Sequence, residues 1–395
     1  MKKLFKWLLS ALYGLVMIEV IIMISPFAFY WYSLYAPTLD GLHRWRATAW
    51  LEAFFLPHSV ISTSPVLEFL RWQLGTYAFS LGVLGFLFCA AQVYGAKLFR
   101  QGVVRSAIYS RIRHPQYLSL SIAAFGLLTM WPRIIILILF VGMLLAYYFL
   151  ARFEEKQMEA KHPEYAAYRG RTAMFLPGNP GGKLFKLLLG WIPNRAAALA
   201  ISAVGVIALG IGGGLLLRRY TIAHTATAAL PQARTLAIAT WPMPPAKIRQ
   251  VVSAALEDPR VERALAKQPG AVFAAHVLPA DYGMVNMFAD VGINHRMFSH
   301  LSASRFKYLV GFVFPFLVKH RRRRIMGTPE NSYKVVFSRM DEPGRRHLAV
   351  SNVLDLSARM TPVVIADVSG SPPSLDAVVI PPPRSFWGDI TMPMF

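Results

Sequence analysis

Two short stretches carry the residue types that could do chemistry. In "SAIYSRIRHPQYLSLSIAAF", residues 106–125, Arg111, Arg113 and His114 stand directly before an apolar run. In "ARFEEKQMEAKHPEYAAYRGRTAMFLP", which follows the next apolar run, Glu154 and Glu155 are adjacent. Basic residues beside an apolar span ordinarily anchor a loop on the positive side of a membrane. Paired carboxylates at the C-terminal end of a helix lack that explanation, because the helix dipole disfavours negative charge there. A ligand with charges of both signs supplies one: arginine or imidazole takes its carboxylate, and a glutamate takes its ammonium or its sugar hydroxyls. S-adenosylmethionine has that set of groups.

Helices must bring the two stretches together, and the apolar pattern says how. With 395 residues, 55% of them hydrophobic, the chain has room for more than one domain and is too apolar for an ordinary soluble one. The spacing predicts five spans, 8–30, 77–99, 117–131, 134–151 and 196–217. The first follows a basic start, but its apolar run continues for about 20 residues without a small-residue cleavage site, so it reads as a retained helix rather than a signal peptide. "WPR" breaks the third from the fourth, which makes a tight hairpin with the two chemical stretches at its open end. The third is short, reaching roughly 22 Å against a hydrocarbon core of about 30 Å. "KLFKLLLGWIP" suits a short helix lying in the interface. Gly210 and Gly214 permit close helix association in the fifth span.

The formal charge of +22 points to anionic lipid headgroups rather than to nucleic acid, since the cations flank apolar runs. Both flanks of the hairpin are cation-rich and so is the N-terminus, which places the open end in the cytoplasm. An odd number of spans then puts the C-terminus across the bilayer, in the periplasm if the membrane is a bacterial inner membrane; Arg218 and Arg219 pull the other way. The single cysteine, Cys89, excludes an intramolecular disulfide.

After Tyr220 prolines return and no run is long enough to span. Residues 221–395 read as an extramembrane α+β domain. A helix pair is expected in "PPAKIRQVVSAALEDPRVERALAKQ", and strands in "KVVFSRM", "HLAVSNVLDL", "TPVVIADV" and "AVVIP". The fold class is therefore an all-α polytopic membrane domain, 1–220, followed by that α+β domain, a candidate for binding a protein partner. His295 and His300 are five residues apart, off the spacing that one helical face needs to share a metal, so no metal site is expected. The run Lys319–Arg324 fits an anionic membrane surface or an acidic partner.

The ordered set "IYSRIRHPQY", apolar hairpin, "EE" and "HPEYAAYRGRTAMFLP" resembles the isoprenylcysteine carboxyl methyltransferase and phospholipid methyltransferase family of integral-membrane enzymes, over roughly 101–180. The resemblance implies an S-adenosylmethionine pocket open to the cytoplasm for the cofactor and to the bilayer for a lipophilic acceptor. It implies that Arg113, His114, Pro115 and Tyr117 surround the cofactor, that Glu154 and Glu155 form the acidic pair, and that Tyr165 and Tyr168 close the pocket. Arg113 and His114 are the expected catalytic pair, and His114 mainly positions the cofactor. Where related sequences usually carry glycine, this chain has Ala107 and Ser119. Those two residues and the unmatched C-terminal domain support an alternative, a non-catalytic subunit built on the methyltransferase scaffold. A membrane reductase of related fold is a further alternative, against which the acidic pair argues.

Overall fold

A computed structural model describes residues 7, 41–42, 45–58, 60–99, 104–280, 330–341, 349–350, 353–356 and 358–381. The expected first span, His295, His300 and the Lys319–Arg324 run lie outside the described residues. The chain divides into two compact units, one of residues 54–56 and 66–220, the other containing 57–65 and everything from Thr221 onward.

The first unit is helical. Helix α1 (Gly75–Leu98) continues a short helix, Pro65–Glu68, and a π-helical turn, Phe69–Leu74. Helix α2 (Pro115–Met130) opens with proline at its first position, where the missing N–H costs nothing, and ends before Pro132. Helix α3 (Ile134–Lys161) ends at His162, which Pro163 holds in extended backbone. Helix α4 (Tyr165–Arg171) follows, then α5 (Pro180–Leu189), capped by the Asn179 side chain, and α6 (Arg195–Ala223). The Asn194 side chain caps α6 by accepting from the N–H groups of Ala196 and Ala197.

Three helices of the described residues are long and apolar enough to cross a membrane: Pro65–Ala96, Ile134–Lys161 and Arg195–Ala223. The described residues thus fall short of the five spans expected. α2, at 16 residues, reaches only about 24 Å. It is covered by protein instead, in an antiparallel crossing with α1 close enough that a Cβ on Gly82 would lie 2.3 Å from the Ala123 nitrogen and one on Gly126 would lie 2.4 Å from the Phe79 nitrogen. The second expected span begins twelve residues early because Glu68 and Arg71 mask its start in the hydropathy pattern; Arg71 is buried, stacked on Trp72. Gly210 and Gly214 of α6 face Val141 and Leu137 of α3, so these glycines serve contact within the chain.

The end of this unit away from "RIRHPQY" is tied by Phe54–Leu56. The Phe55 N–H bonds the Pro132 carbonyl in the α2–α3 turn, Arg133 lies over the Phe54 ring, and Arg218 of α6 donates to the Phe54 carbonyl at 2.6 Å.

The second unit holds a six-stranded mixed sheet in the order β1 (Thr227–Leu230), β2 (Thr235–Ala239), β3 (Val272–Pro279), β4 (Ser332–Asp341), β5 (Arg359–Ser369), β6 (Ser374–Val379). All neighbours are antiparallel except β2 and β3, joined through helices α7 (Pro245–Leu256) and α8 (Pro259–Ala266). These helices bury Ile248, Val251, Val252 and Val261 against Ala237, Ala275, Val335, Phe337 and Val364 of one sheet face. The opposite face is buried too, across Ile238, His276, Val336 and Ile365, which pair in register.

The helix pair and the strands at "KVVFSRM", "TPVVIADV" and "AVVIP" are present. The described residues of "HLAVSNVLDL" are in turns rather than a strand. β1, β2 and β3 escaped the sequence reading because "TAAL", "TLAIA" and "VFAAHVLP" are alanine-rich, and alanine is depleted in strands unless the sheet is covered on both faces.

Candidate functional site

The two chemical stretches meet at the start of α2 and the end of α3. Residues 111–114 run beside 172–175: Ile112 bridges Ala173 in parallel, and the Arg113 and His114 N–H groups bond the carbonyls of Ala173 and Met174 at 2.9 and 3.1 Å. This short ladder fixes where both side chains point.

The Arg113 side chain is mostly covered, 8% exposed, and used within the protein. Its Nε donates to Glu155 Oε1 at 2.6 Å, and its Nη1 donates to the Arg169 carbonyl at 3.0 Å and to the carbonyl and hydroxyl of Thr172. Only Nη2 is without a hydrogen bond among the described residues. Arg113 therefore locks the α4 segment onto α3.

His114 is the opposite case. Its ring is buried, with Nε2 3.4 Å from Glu155 Oε1 and Nδ1 3.6 Å from Glu154 Oε2, yet neither nitrogen is in hydrogen-bond geometry with any described group. The ring stacks on Tyr117 at 5.5 Å, Tyr117 stacks on Tyr147 at 5.0 Å, and Phe175 packs at 6.1 Å from the imidazole. The two carboxylates divide: Glu155 has a side-chain exposure of 4% and is consumed by Arg113, whereas Glu154 is 41% exposed and accepts from the Tyr117 hydroxyl at 2.6 Å.

Tyr168 donates to the Tyr109 carbonyl, and its ring meets that of Tyr165 edge-on at 5.5 Å. Burial, aided by the Glu155 charge, pushes the Tyr165 hydroxyl up to about 12. Burial likewise raises Tyr168 and Tyr109, with Arg113 and Arg105 opposing the rise at Tyr168. These hydroxyls are donors at physiological pH and cannot act as bases. Arg105 braces the rim, paired with Glu164 at 3.4 Å and lying over the Tyr168 ring. Pro115 is buried at the first position of α2.

The structure thus gathers Arg113, His114, Pro115, Tyr117, Glu154 and Glu155 at one helix end, with Tyr165 and Tyr168 on the strap beside them. Sequence reasoning missed Tyr147, Thr172 and Phe175. Tyr147 sits seven residues before Glu154, two turns along the same face of α3, which is the one signal that could have found it.

The two departures from glycine have separate outcomes. Ser119 faces Gly85 of α1, where a Cβ would lie 2.8 Å from the serine oxygen. The close approach at 119 is between helices, and a glycine on the partner helix makes room for it. Ala107 has φ of 49°, the left-handed region that favours glycine.

Residues 74–164 match the phospholipid methyltransferase family. That segment contains α1, α2 and α3 with Arg113, His114, Pro115, Tyr117, Glu154 and Glu155. Tyr165, Tyr168 and the strap residues Thr172 and Phe175 lie past the end of the phospholipid methyltransferase match. The cobalt-zinc-cadmium resistance protein CzcN of Cupriavidus metallidurans is 32% identical over 143 residues, 36% of this chain. The chain spans 57% of that relative's length. No solved structure matches the chain.

Proposed function

We propose that the protein is an integral-membrane S-adenosylmethionine-dependent methyltransferase whose acceptor is an amine-bearing, phospholipid-like headgroup. The observation that carries the reading is the pair of buried nitrogens on His114, which face Glu154 and Glu155 without a hydrogen bond in good geometry, beside a half-exposed Glu154. A buried imidazole without a well-formed hydrogen bond costs desolvation energy that a bound ligand recovers. The residues fit the cofactor: Glu154 suits its ammonium or ribose hydroxyls, and the His114 nitrogens suit its remaining polar groups. The cofactor, when bound, supplies a methyl carbon on a sulfonium, open to in-line displacement.

The chain's own part is positioning and proton handling. With Glu155 neutralised by Arg113, the half-exposed carboxylate of Glu154 repels a carboxylate acceptor and attracts an ammonium. That favours a phospholipid-like amine over an isoprenylcysteine-type carboxylate. The Glu154 charge draws such an ammonium toward the cofactor it holds, and one His114 nitrogen accepts the proton the amine loses before it becomes a nucleophile, leaving the other for the cofactor. The rings of Tyr117, Tyr147 and Phe175 exclude water. Arg113 acts through Glu155 and the strap rather than on the ligand, so it is a positioning residue.

Titration calorimetry of the full chain in nanodiscs, with the cofactor and its demethylated product, tests the proposal. Binding of either, weakened about 10- to 100-fold by Glu154→Gln, is expected for the loss of one charge-assisted hydrogen bond. No heat and no thermal shift with either ligand would overturn it. That result would favour the second reading, a non-catalytic subunit, which the strained Ala107 supports. In both readings the second unit serves partner binding from the far side of the bilayer. The support is that Arg218 of α6 donates to the Phe54 carbonyl and the neighbouring Phe55 N–H bonds Pro132 in the α2–α3 turn, so α6 ends at the end of the first unit away from His114.

A further inference from the structure

Helix α5 (Pro180–Leu189) stands four residues past Phe175, the strap residue that packs beside His114, and five residues before α6 begins. At about 100° per residue its side chains fall into three sectors. Phe185 and Leu189 are half-buried against the protein. Leu184, Leu187, Leu188 and, just past the helix, Trp191 share a second sector and are exposed, Leu187 and Trp191 each at 77%. Lys183 and Lys186, both exposed, occupy the third. The Trp191 indole donates to the Leu188 carbonyl, which holds the ring on the leucine side.

An apolar sector beside a basic one is the pattern of a helix lying in a headgroup layer with its leucines among acyl chains. Continuity settles which surface this is. α6 is long and apolar enough to cross the membrane, and five residues cannot carry α5 away from the bilayer that α6 enters. We propose that α5 docks on the anionic surface of this leaflet, with Leu184, Leu187, Leu188 and Trp191 inserted and Lys183 and Lys186 on lipid phosphates. The strap at the candidate site is thereby seated on the membrane where a lipid acceptor would enter.

The test is made on the full chain and needs no methyl transfer. Leu187→Cys is labelled with bimane; Cys89 is fully buried, so the native thiol stays unlabelled. In nanodiscs, brominated acyl chains should quench the label and aqueous iodide should not. Amide exchange across 183–189 is then compared in phosphatidylcholine alone and in phosphatidylcholine with phosphatidylglycerol. Each lysine near an anionic surface contributes about 1 kcal/mol, or about fivefold, so the anionic lipid should slow exchange by about 30-fold. Lys183→Gln with Lys186→Gln should abolish that difference while the acyl-chain quenching stays. Quenching by iodide would show a solvated helix, and equal exchange in both lipids would show no headgroup preference. Shielding in detergent together with a 187–187 cross-link would make a second copy the occupant. Any of these three results overturns the proposal.

Discussion

Arg113 and Glu154 both looked like ligand-binding charges, and their surroundings give them different work. Arg113→Ala or Glu155→Gln removes one member of a buried pair that also ties down the α4 segment. Arg113→Ala strands the Glu155 carboxylate, and the loss should be about 3–5 kcal/mol of stability. Glu154→Gln, at a half-exposed position, should leave the melting temperature within the range of ordinary surface changes and act on ligand affinity alone. Thermal unfolding and calorimetry on the same samples separate the two; equal destabilisation by Glu154→Gln and Arg113→Ala would show that Glu154 is structural as well. At Ala107 the strain is local. Ala107→Gly relieves a left-handed alanine worth about 1–2 kcal/mol, of which part is returned as entropy of the unfolded chain, so a net gain of about 0.5–1 kcal/mol is expected. A lower melting temperature for that variant would mean that the backbone at 107 is not held at positive φ.

Between elements, the decisive contact is the α1–α2 crossing, because it places the short α2 and with it the start of the site. Gly82 and Gly126 meet backbone atoms of the facing helix, which cannot rotate away as a side chain can. Gly82→Ala should therefore push the helices apart and cost about 1–3 kcal/mol, the usual range for overpacking. At 119 the crowding is with a side chain, so Gly85→Ala should be destabilising with Ser119 present and largely rescued by Ser119→Gly. A double-mutant cycle on thermal stability reads this directly; additive effects would mean the two positions do not touch.

On the scale of the whole molecule, the two units offer separate handles. In the sheet unit His276 is fully buried with both ring nitrogens lacking partners, and burial lowers it to about 3. A histidine lowered in the folded state is neutral there while the unfolded chain takes up a proton below about pH 6.5. Stability is thus full above that pH and falls as pH drops from about 6.5 toward 3, at about 1.4 kcal/mol per unit. Amide exchange of β3 and β4 at a series of pH values should show this slope, and His276→Leu should flatten it; an unchanged slope in the variant would assign it to other groups. For the membrane unit, a reporter active only in the cytoplasm, fused at Phe395, should stay dark if the second unit lies across the bilayer from His114. Arg218 does not oppose this, since its charge is buried and donated to the Phe54 carbonyl rather than left to find the cytoplasm.

The sequence by itself determined the membrane character, the hairpin with its Pro132 break, and the approach of "RIRHPQY" to "EE", because these depend on apolar run length, on proline, and on two segments joined by one short connection. It could not show that Arg113 is spent on Glu155 and Thr172, or that His114 keeps two buried nitrogens without a well-formed hydrogen bond. Those facts depend on the ladder between 111–114 and 172–175, about 60 residues apart, and a pairing of that kind leaves no local pattern. The same holds for Ser119, whose neighbour Gly85 lies on another helix, and for β3, whose alanines make a strand only because both faces of the sheet are covered. Local chemistry decides which segments become helices and where they stop. Which charges remain available to a ligand is decided by long-range packing, and tertiary structure alone supplies that.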